Sequence, residues 1–150
     1  MVAPSELIQR LVLAKQASDL ASSSFNQMLA LEVASTHLVG PLRAIRHTYA
    51  ERRDAMLASL RKDMPEGVTW TEPEGGLYVW LRLPPGIDGD EFALRALKDF
   101  GVSIISGRPF FPVEPQAGTA RLSFSLAGPD QIRDGVSRLA ELVRAMAAGA

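Results

Sequence analysis

Arg121 lies in the run Ala120-Arg121-Leu122-Ser123-Phe124. Strict alternation makes this a strand, with Leu122 and Phe124 on one side and Arg121, Ser123 and Ser125 on the other. A planar guanidinium can hold a carboxylate through two parallel hydrogen bonds, and strand backbone fixes its direction better than a loop does. The same spacing is also that of an ordinary exposed strand arginine, so spacing alone leaves both readings open. Other residues with chemical potential are less well placed. His37 and His47 are ten residues apart and lack the i, i+4 spacing or carboxylate partner of a metal site, so they read as structural or solvated and no metal is expected. Glu51, Arg52, Arg53 and Asp54 read as a wet helix face, and Glu72 with Glu74 as turn polarity rather than an acid/base pair. No hydrolase-elbow, dinucleotide or P-loop pattern occurs, and the absence of cysteine removes disulfides, thiolate metal sites and a thiol nucleophile. No catalytic residue is expected from these patterns.

At 150 residues the chain is long enough for one compact core, and 47% hydrophobic with 22% charged residues is the composition of a folded domain. With a net charge of −1 and no dense Lys/Arg block, neither nucleic acid nor an anionic membrane is an expected partner. Met1-Val2-Ala3-Pro4-Ser5-Glu6 has neither the basic stretch nor the apolar run of a secretory signal, and no apolar run reaches the length of a membrane span. A soluble, cytoplasmic protein is the expectation.

The elements that must position Arg121 follow from periodicity. Ser5 caps a first helix running to about Ser18, with Leu7, Ile8, Leu11 and Val12 on one side, and a serine-rich loop follows. Helical spacing from Asn26 to about Met64 predicts one long helix, kinked at Gly40-Pro41. The period then changes. Val68–Thr71 and the alternating run Leu77–Leu83 predict two strands joined by Glu72-Pro73-Glu74-Gly75-Gly76. Asp88 and Glu91 predict a capping box for a helix through Phe100, ended by Gly101. Val102–Ser106 and Ala120–Leu126 predict third and fourth strands around a proline-rich loop. The last helix opens at Gly128-Pro129-Asp130 and carries Ile132, Val136, Leu139, Val143 and Met146. The expected fold class is α/β in the α+β sense, a small mixed sheet covered by helices. Residues 1–64 would be linking helices and residues 65–150 the core.

Four segments in order, VAPSELIQRLVLAKQASDL, PEGGLYVWLRLP, SGRPFFP and ARLSFSLAG, resemble the C-terminal part of fold-type I, pyridoxal-phosphate-dependent class I/II aminotransferases. The similarity is greatest to the 2-aminoadipate and kynurenine aminotransferase-like branch. It extends to the C-terminal halves of transcription regulators that carry an aminotransferase-like domain. The resemblance implies that Arg121 grips the α-carboxylate of an amino-acid or 2-oxo-acid substrate. It places Gly75, Gly76 and Tyr78 beside the substrate channel, where the glycines also read as ordinary turn residues. Phe110 becomes a pocket candidate, although Ser106 stands where the family's loop usually has proline. Ser24 and Asn26, in the polar stretch Ser22–Gln27, become candidates for a dimer interface.

In the family, the Schiff-base lysine lies shortly upstream of the segment resembling Val2-Ala3-Pro4, a position that falls before Met1. Lys15, Lys62 and Lys98 do not occupy it. The resemblance therefore implies that these 150 residues hold no covalently bound cofactor and are inactive alone. The implied partner is an N-terminal large domain, with assembly as a homo-oligomer. The alternative is a non-catalytic ligand-binding or interaction module of the regulator type.

Overall fold

The computed structural model describes residues 3–149, and these form five α-helices, one 3₁₀ turn and four strands. Its first unit ends at Ala44 and its second begins at Ile45. The first unit comprises α1 (Ser5–Ser18), α2 (Ser24–Thr36) and the start of α3 (Val39–Asp63). Pro4, not Ser5, occupies the position before α1, and no side chain caps that end. Ser23 caps α2, its hydroxyl accepting from the Asn26 amide at 3.5 Å.

The predicted kink is instead a break. His37 ends α2 and α3 starts at Val39, which puts Pro41 in the first turn of a new helix. There a missing N–H costs nothing, because the first-turn amides have no intrahelical acceptor. The first i→i−4 bond of α3 comes one residue later, from the Leu42 amide to the Leu38 carbonyl at 3.0 Å.

The second unit holds the sheet, which has strand order β1-β2-β4-β3. These strands are Thr69–Trp70, Tyr78–Arg82, Ile105–Ser106 and Thr119–Ser123, numbered in chain order. Every pairing is antiparallel, which corrects the expected mixed sheet. The third strand is shorter than predicted. A hollow of about 330 Å³, lined by Ser103, Ile104, Leu122 and Ser123 among others, lies where its ladder with β4 would otherwise continue. The fourth strand stops at Ser123 rather than Leu126. The Ser123 hydroxyl accepts from the Ser125 amide at 3.3 Å, offering the backbone a local partner in place of the ladder.

Val79, Leu81, Ala120 and Leu122 form the buried face of the sheet. They share one core with Met56, Leu57 and Leu60 of α3, Phe92 and Ala96 of α4 (Gly89–Phe100), and the apolar stripe of α5 (Pro129–Ala148). Asp88 caps α4, but Glu91 faces Arg95 at 3.7 Å rather than returning to the cap, so the predicted reciprocal box is one-way. Arg138 and Arg144 of α5 donate to the Phe100 and Asp63 carbonyls, satisfying acceptors at the ends of α4 and α3. Among the described residues no helix is long and apolar enough to cross a membrane.

Leu60 is wholly buried and Leu94 of α4 is 65% exposed. Leu60→Ala should therefore lower stability by about 2–5 kcal/mol, and Leu94→Ala by no more than about 0.5 kcal/mol. Urea unfolding of the two variants checks this; equal losses would mean that the core is misplaced.

Candidate functional site

On the face of the sheet opposite the core, antiparallel register sets Trp80 opposite Arg121 and Tyr78 opposite Ser123. Tyr78 is thus a diagonal neighbour of Arg121, within reach of a long side chain. The Arg121 guanidinium carbon lies 4.1 Å from the centroid of the Tyr78 ring and 4.3 Å from that of Phe110. An aromatic ring therefore lies close to the cation from each of two elements. Among the described residues the Arg121 side chain makes no hydrogen bond or ion pair, so its guanidinium N–H donors find no acceptor there.

Phe110 comes from a single 3₁₀ turn, Arg108–Phe110, in the loop after β3. This loop is pinned at several points. The Gly107 amide donates to the Thr119 carbonyl at 2.8 Å, and a Cβ on Gly107 would stand 2.1 Å from the Thr119 hydroxyl and 2.8 Å from the Trp80 ring. Only glycine allows that approach. Gly89 presses on the same residue from α4, where a Cβ would meet the Thr119 carbonyl oxygen at 2.2 Å. Trp80 meets Phe110 and Phe111 edge-on at 5.9 and 5.8 Å. Arg108 donates to Asp90 at 2.5 Å and to Asp88 at 2.9 Å. The other Asp88 oxygen accepts from the Asp90 and Glu91 amides, so one carboxylate caps α4 and holds the loop. The Ser106 hydroxyl beside Asp90 and the Arg108 guanidinium bonded to it hold its carboxyl below the ordinary range.

Of the sequence candidates, Tyr78 and Phe110 meet at Arg121. Gly75 and Gly76 line a different hollow, of about 430 Å³, with Arg46, Tyr49, Arg53, Glu74 and Phe124. A Cβ at either glycine would meet nothing within 4 Å; the φ of +83° at Gly76 is what favours glycine there. Ser24 and Asn26 lie exposed in the first turn of α2. Contrary to the sequence expectation, His47 does have a carboxylate neighbour at i, i+4, with Glu51 at 3.5 Å; among the described residues no group of three or more His, Asp and Glu could hold a metal. Arg108 and its two aspartates escaped sequence reasoning because they lie 18 and 20 residues apart along the chain. Trp80 was within reach, since its alternation with Tyr78 already placed both on one strand face.

Residues 2–139 match the family described as Aminotransferase class I and II. The chain belongs to that family. It is 39% identical over 145 residues to aromatic-amino-acid aminotransferase 1 of Thermococcus litoralis, covering 96% of this chain and 34% of that protein. The crystal structure of the alpha-aminoadipate aminotransferase of Thermus thermophilus, complexed with N-(5'-phosphopyridoxyl)-L-leucine, superposes with a TM-score of 0.83 at 36% identity, covering 99% of this chain and 38% of that one. A more distant relative is the HTH-type transcriptional regulator YdfD of Bacillus subtilis, 28% identical over 98% of this chain and 30% of its own length. The chain thus spans about a third of the relatives it matches.

The family's aminotransferases use pyridoxal phosphate, whose aldehyde needs a free lysine amine and whose ring nitrogen needs a partner. Lys15 donates to both Asp19 carboxylate oxygens at 2.8 and 3.1 Å, while Lys62 and Lys98 lie exposed in the last turns of α3 and α4. No lysine stands on the strand face that carries Arg121.

Because the carboxyl of Asp90 titrates below its ordinary value of 3.8, its contribution is present above that value and is lost as pH falls through the lower, folded value. Acid titration followed by the near-ultraviolet dichroism of Trp80 and its phenylalanine neighbours should keep the native signal to below pH ~4. Asp90→Asn should weaken that signal already at neutral pH. An unchanged Asn variant would show that the Arg108 contact does not order the loop.

Proposed function

We propose that this chain is the substrate-carboxylate-binding C-terminal portion of a pyridoxal-phosphate-dependent amino-acid aminotransferase, with Arg121 as the carboxylate ligand. The observation that supports this is a guanidinium close to the rings of Tyr78 and Phe110 whose N–H groups have no acceptor among the described residues. Rings attract the cation without taking its N–H hydrogen bonds, and a carboxylate fits those donors with two parallel bonds. Gly75 and Gly76, from which the strand bearing Tyr78 departs, would border the channel by which substrate arrives. In the whole enzyme, the lysine and the groups that hold the cofactor come from polypeptide outside these 150 residues.

Assembly belongs to the same reading. No residue of α1 or α2 is buried, and Phe25, Met28, Leu29 and Leu31 are 54–73% exposed. A patch of this kind favours association, so the protein is proposed to be a homo-oligomer joined through these helices, with Ser24 and Asn26 at the contact. Sedimentation should show a dimer or larger species; a monomer at every concentration would refute it.

The relationship to the regulator supports a second reading, a non-catalytic module that binds an amino acid or 2-oxo acid without converting it. The two separate when the remaining part of an aminotransferase is supplied in trans. Transamination should then appear, and both Arg121→Lys and Arg121→Ala should lose most of kcat/KM, because lysine keeps the charge but not the fork. Near-parental activity of Arg121→Ala would overturn the assignment, and no activity in any combination would favour the module. The 150 residues alone should give no aldimine absorbance with pyridoxal phosphate; borohydride trapping on Lys15, Lys62 or Lys98 would contradict this.

A further inference from the structure

We infer that Arg108 is a positioning residue for carboxylate capture: by gripping Asp88 and Asp90 it holds Phe110 over Arg121. The inference rests on the reading that Arg121 takes the carboxylate.

Phe110 is carried by a short 3₁₀ turn and is itself 45% exposed, so its edge-on contact with Trp80 at 5.9 Å covers only part of the ring. What fixes the turn lies at its two ends. On one side, Gly107 is pressed onto Thr119 and Trp80, and the Phe110 amide returns to the Gly107 carbonyl at 3.0 Å. On the other side the chain runs on through Phe111 and Pro112 to a stretch, 113–117, whose residues are all exposed. Arg108 supplies the lateral restraint. It is the first residue of the turn, its amide donates to the Ser106 hydroxyl at 3.3 Å, and its side chain spans two carboxylates of the α4 N-terminus.

Both carboxylates are in turn fixed. Asp88 is tied by its cap to the start of α4, and Asp90 sits in the first turn of that helix. Gly89 between them packs against the Thr119 carbonyl, and Phe92, one turn further on, is wholly buried in the core. The helix end is therefore rigidly placed against β4, and Arg108 transmits that placement to the ring beside Arg121. A fork with two anchors orders a turn in a way that a point charge cannot, which is why arginine rather than lysine suits the position.

The consequence for binding is preorganisation. Without the clasp, Phe110 leaves one face of the Arg121 guanidinium to water, and the cation gains rotamers that a carboxylate must then freeze out. Arg108 touches no substrate in this scheme and acts only through Phe110.

That dependence gives the test. The intact chain, labelled with ¹⁵N, is titrated with 2-oxoglutarate while the Arg121 Nε–Hε resonance is followed. In the ligand-free parent that resonance should be displaced by the ring currents of Tyr78 and Phe110. Arg108→Ala should remove the Phe110 part of the displacement, leave the melting temperature close to the parent's, and weaken 2-oxoglutarate binding about three- to tenfold. Arg108→Lys should recover only part of the loss. In a Phe110→Ala background, Arg108→Ala should cost nothing further, whereas a merely structural role would add its penalty again. An Arg121 resonance unmoved by Arg108→Ala, or losses that add in the double variant, would overturn the inference. If 2-oxoglutarate shifts no Arg121 resonance in the parent, the carboxylate reading fails instead, and the ligand-free ring-current comparison still decides whether Arg108 places Phe110.

Discussion

A guanidinium held close to two aromatic rings constrains the sheet that carries it, because a cation that gives up water must be repaid by close contact with the rings. At Arg121 the rings come from two directions, Tyr78 from the neighbouring strand and Phe110 from a loop. This contact sets demands on everything around it. The strand bearing Arg121 must be interior to the sheet, so that both neighbours exist, and β4 lies between β2 and β3. Its register must bring Tyr78 to the diagonal position, which the pairing of Tyr78 with Ser123 achieves. A slip of one residue would send Arg121 into the core and Leu122 out to solvent.

The loop makes the second demand, and Thr119 meets it. This residue is 2% exposed, and two glycines close on it, Gly89 from the start of α4 and Gly107 from the end of β3. Its hydroxyl donates to the Gln116 carbonyl at 2.8 Å, so the buried polar group is satisfied rather than left as a cost. Through this one position the core-side helix and the site-side loop are referred to the same strand. Precision at Arg121 is thus inherited from packing on the opposite face of the sheet.

Much of this was legible beforehand in one dimension and invisible in two. Alternation placed Leu122 and Phe124 inward and Arg121 outward, and the stripe Ile132, Val136, Leu139, Val143 and Met146 is buried as its spacing required. The errors fell where a local rule had two outcomes. A proline after glycine in a helical pattern serves equally as a kink or as the first turn of a new helix, and Pro41 took the second course. Likewise, a run such as Ala120–Leu126 has the right residues for a long strand, yet the Ser123 hydroxyl accepts from the Ser125 amide and so gives the backbone beyond it a local partner. The clasp of Arg108 on Asp88 and Asp90 had no sequence signal, since charge complementarity across 18 and 20 residues is met by many pairs of residues in any chain of this composition.

The division of the chain near Ala44 has an energetic meaning. From Ile45 onward every helix contributes buried apolar side chains to one core, so this unit has the means to offset the entropy of ordering its backbone. The preceding helices contribute none: α1 has 14 residues and α2 has 13, lengths at which an isolated helix is marginal in water without tertiary support. Their exposed apolar residues, from Leu7 of α1 to Val33 of α2, are nonetheless too many for a solvated connector. Apolar surface of that extent favours association, whereas the sheet that presents Arg121 has its own buried core. The proposed carboxylate site therefore sits on the self-supporting unit, and the geometry around Arg121 can be formed before the rest of an aminotransferase closes over it.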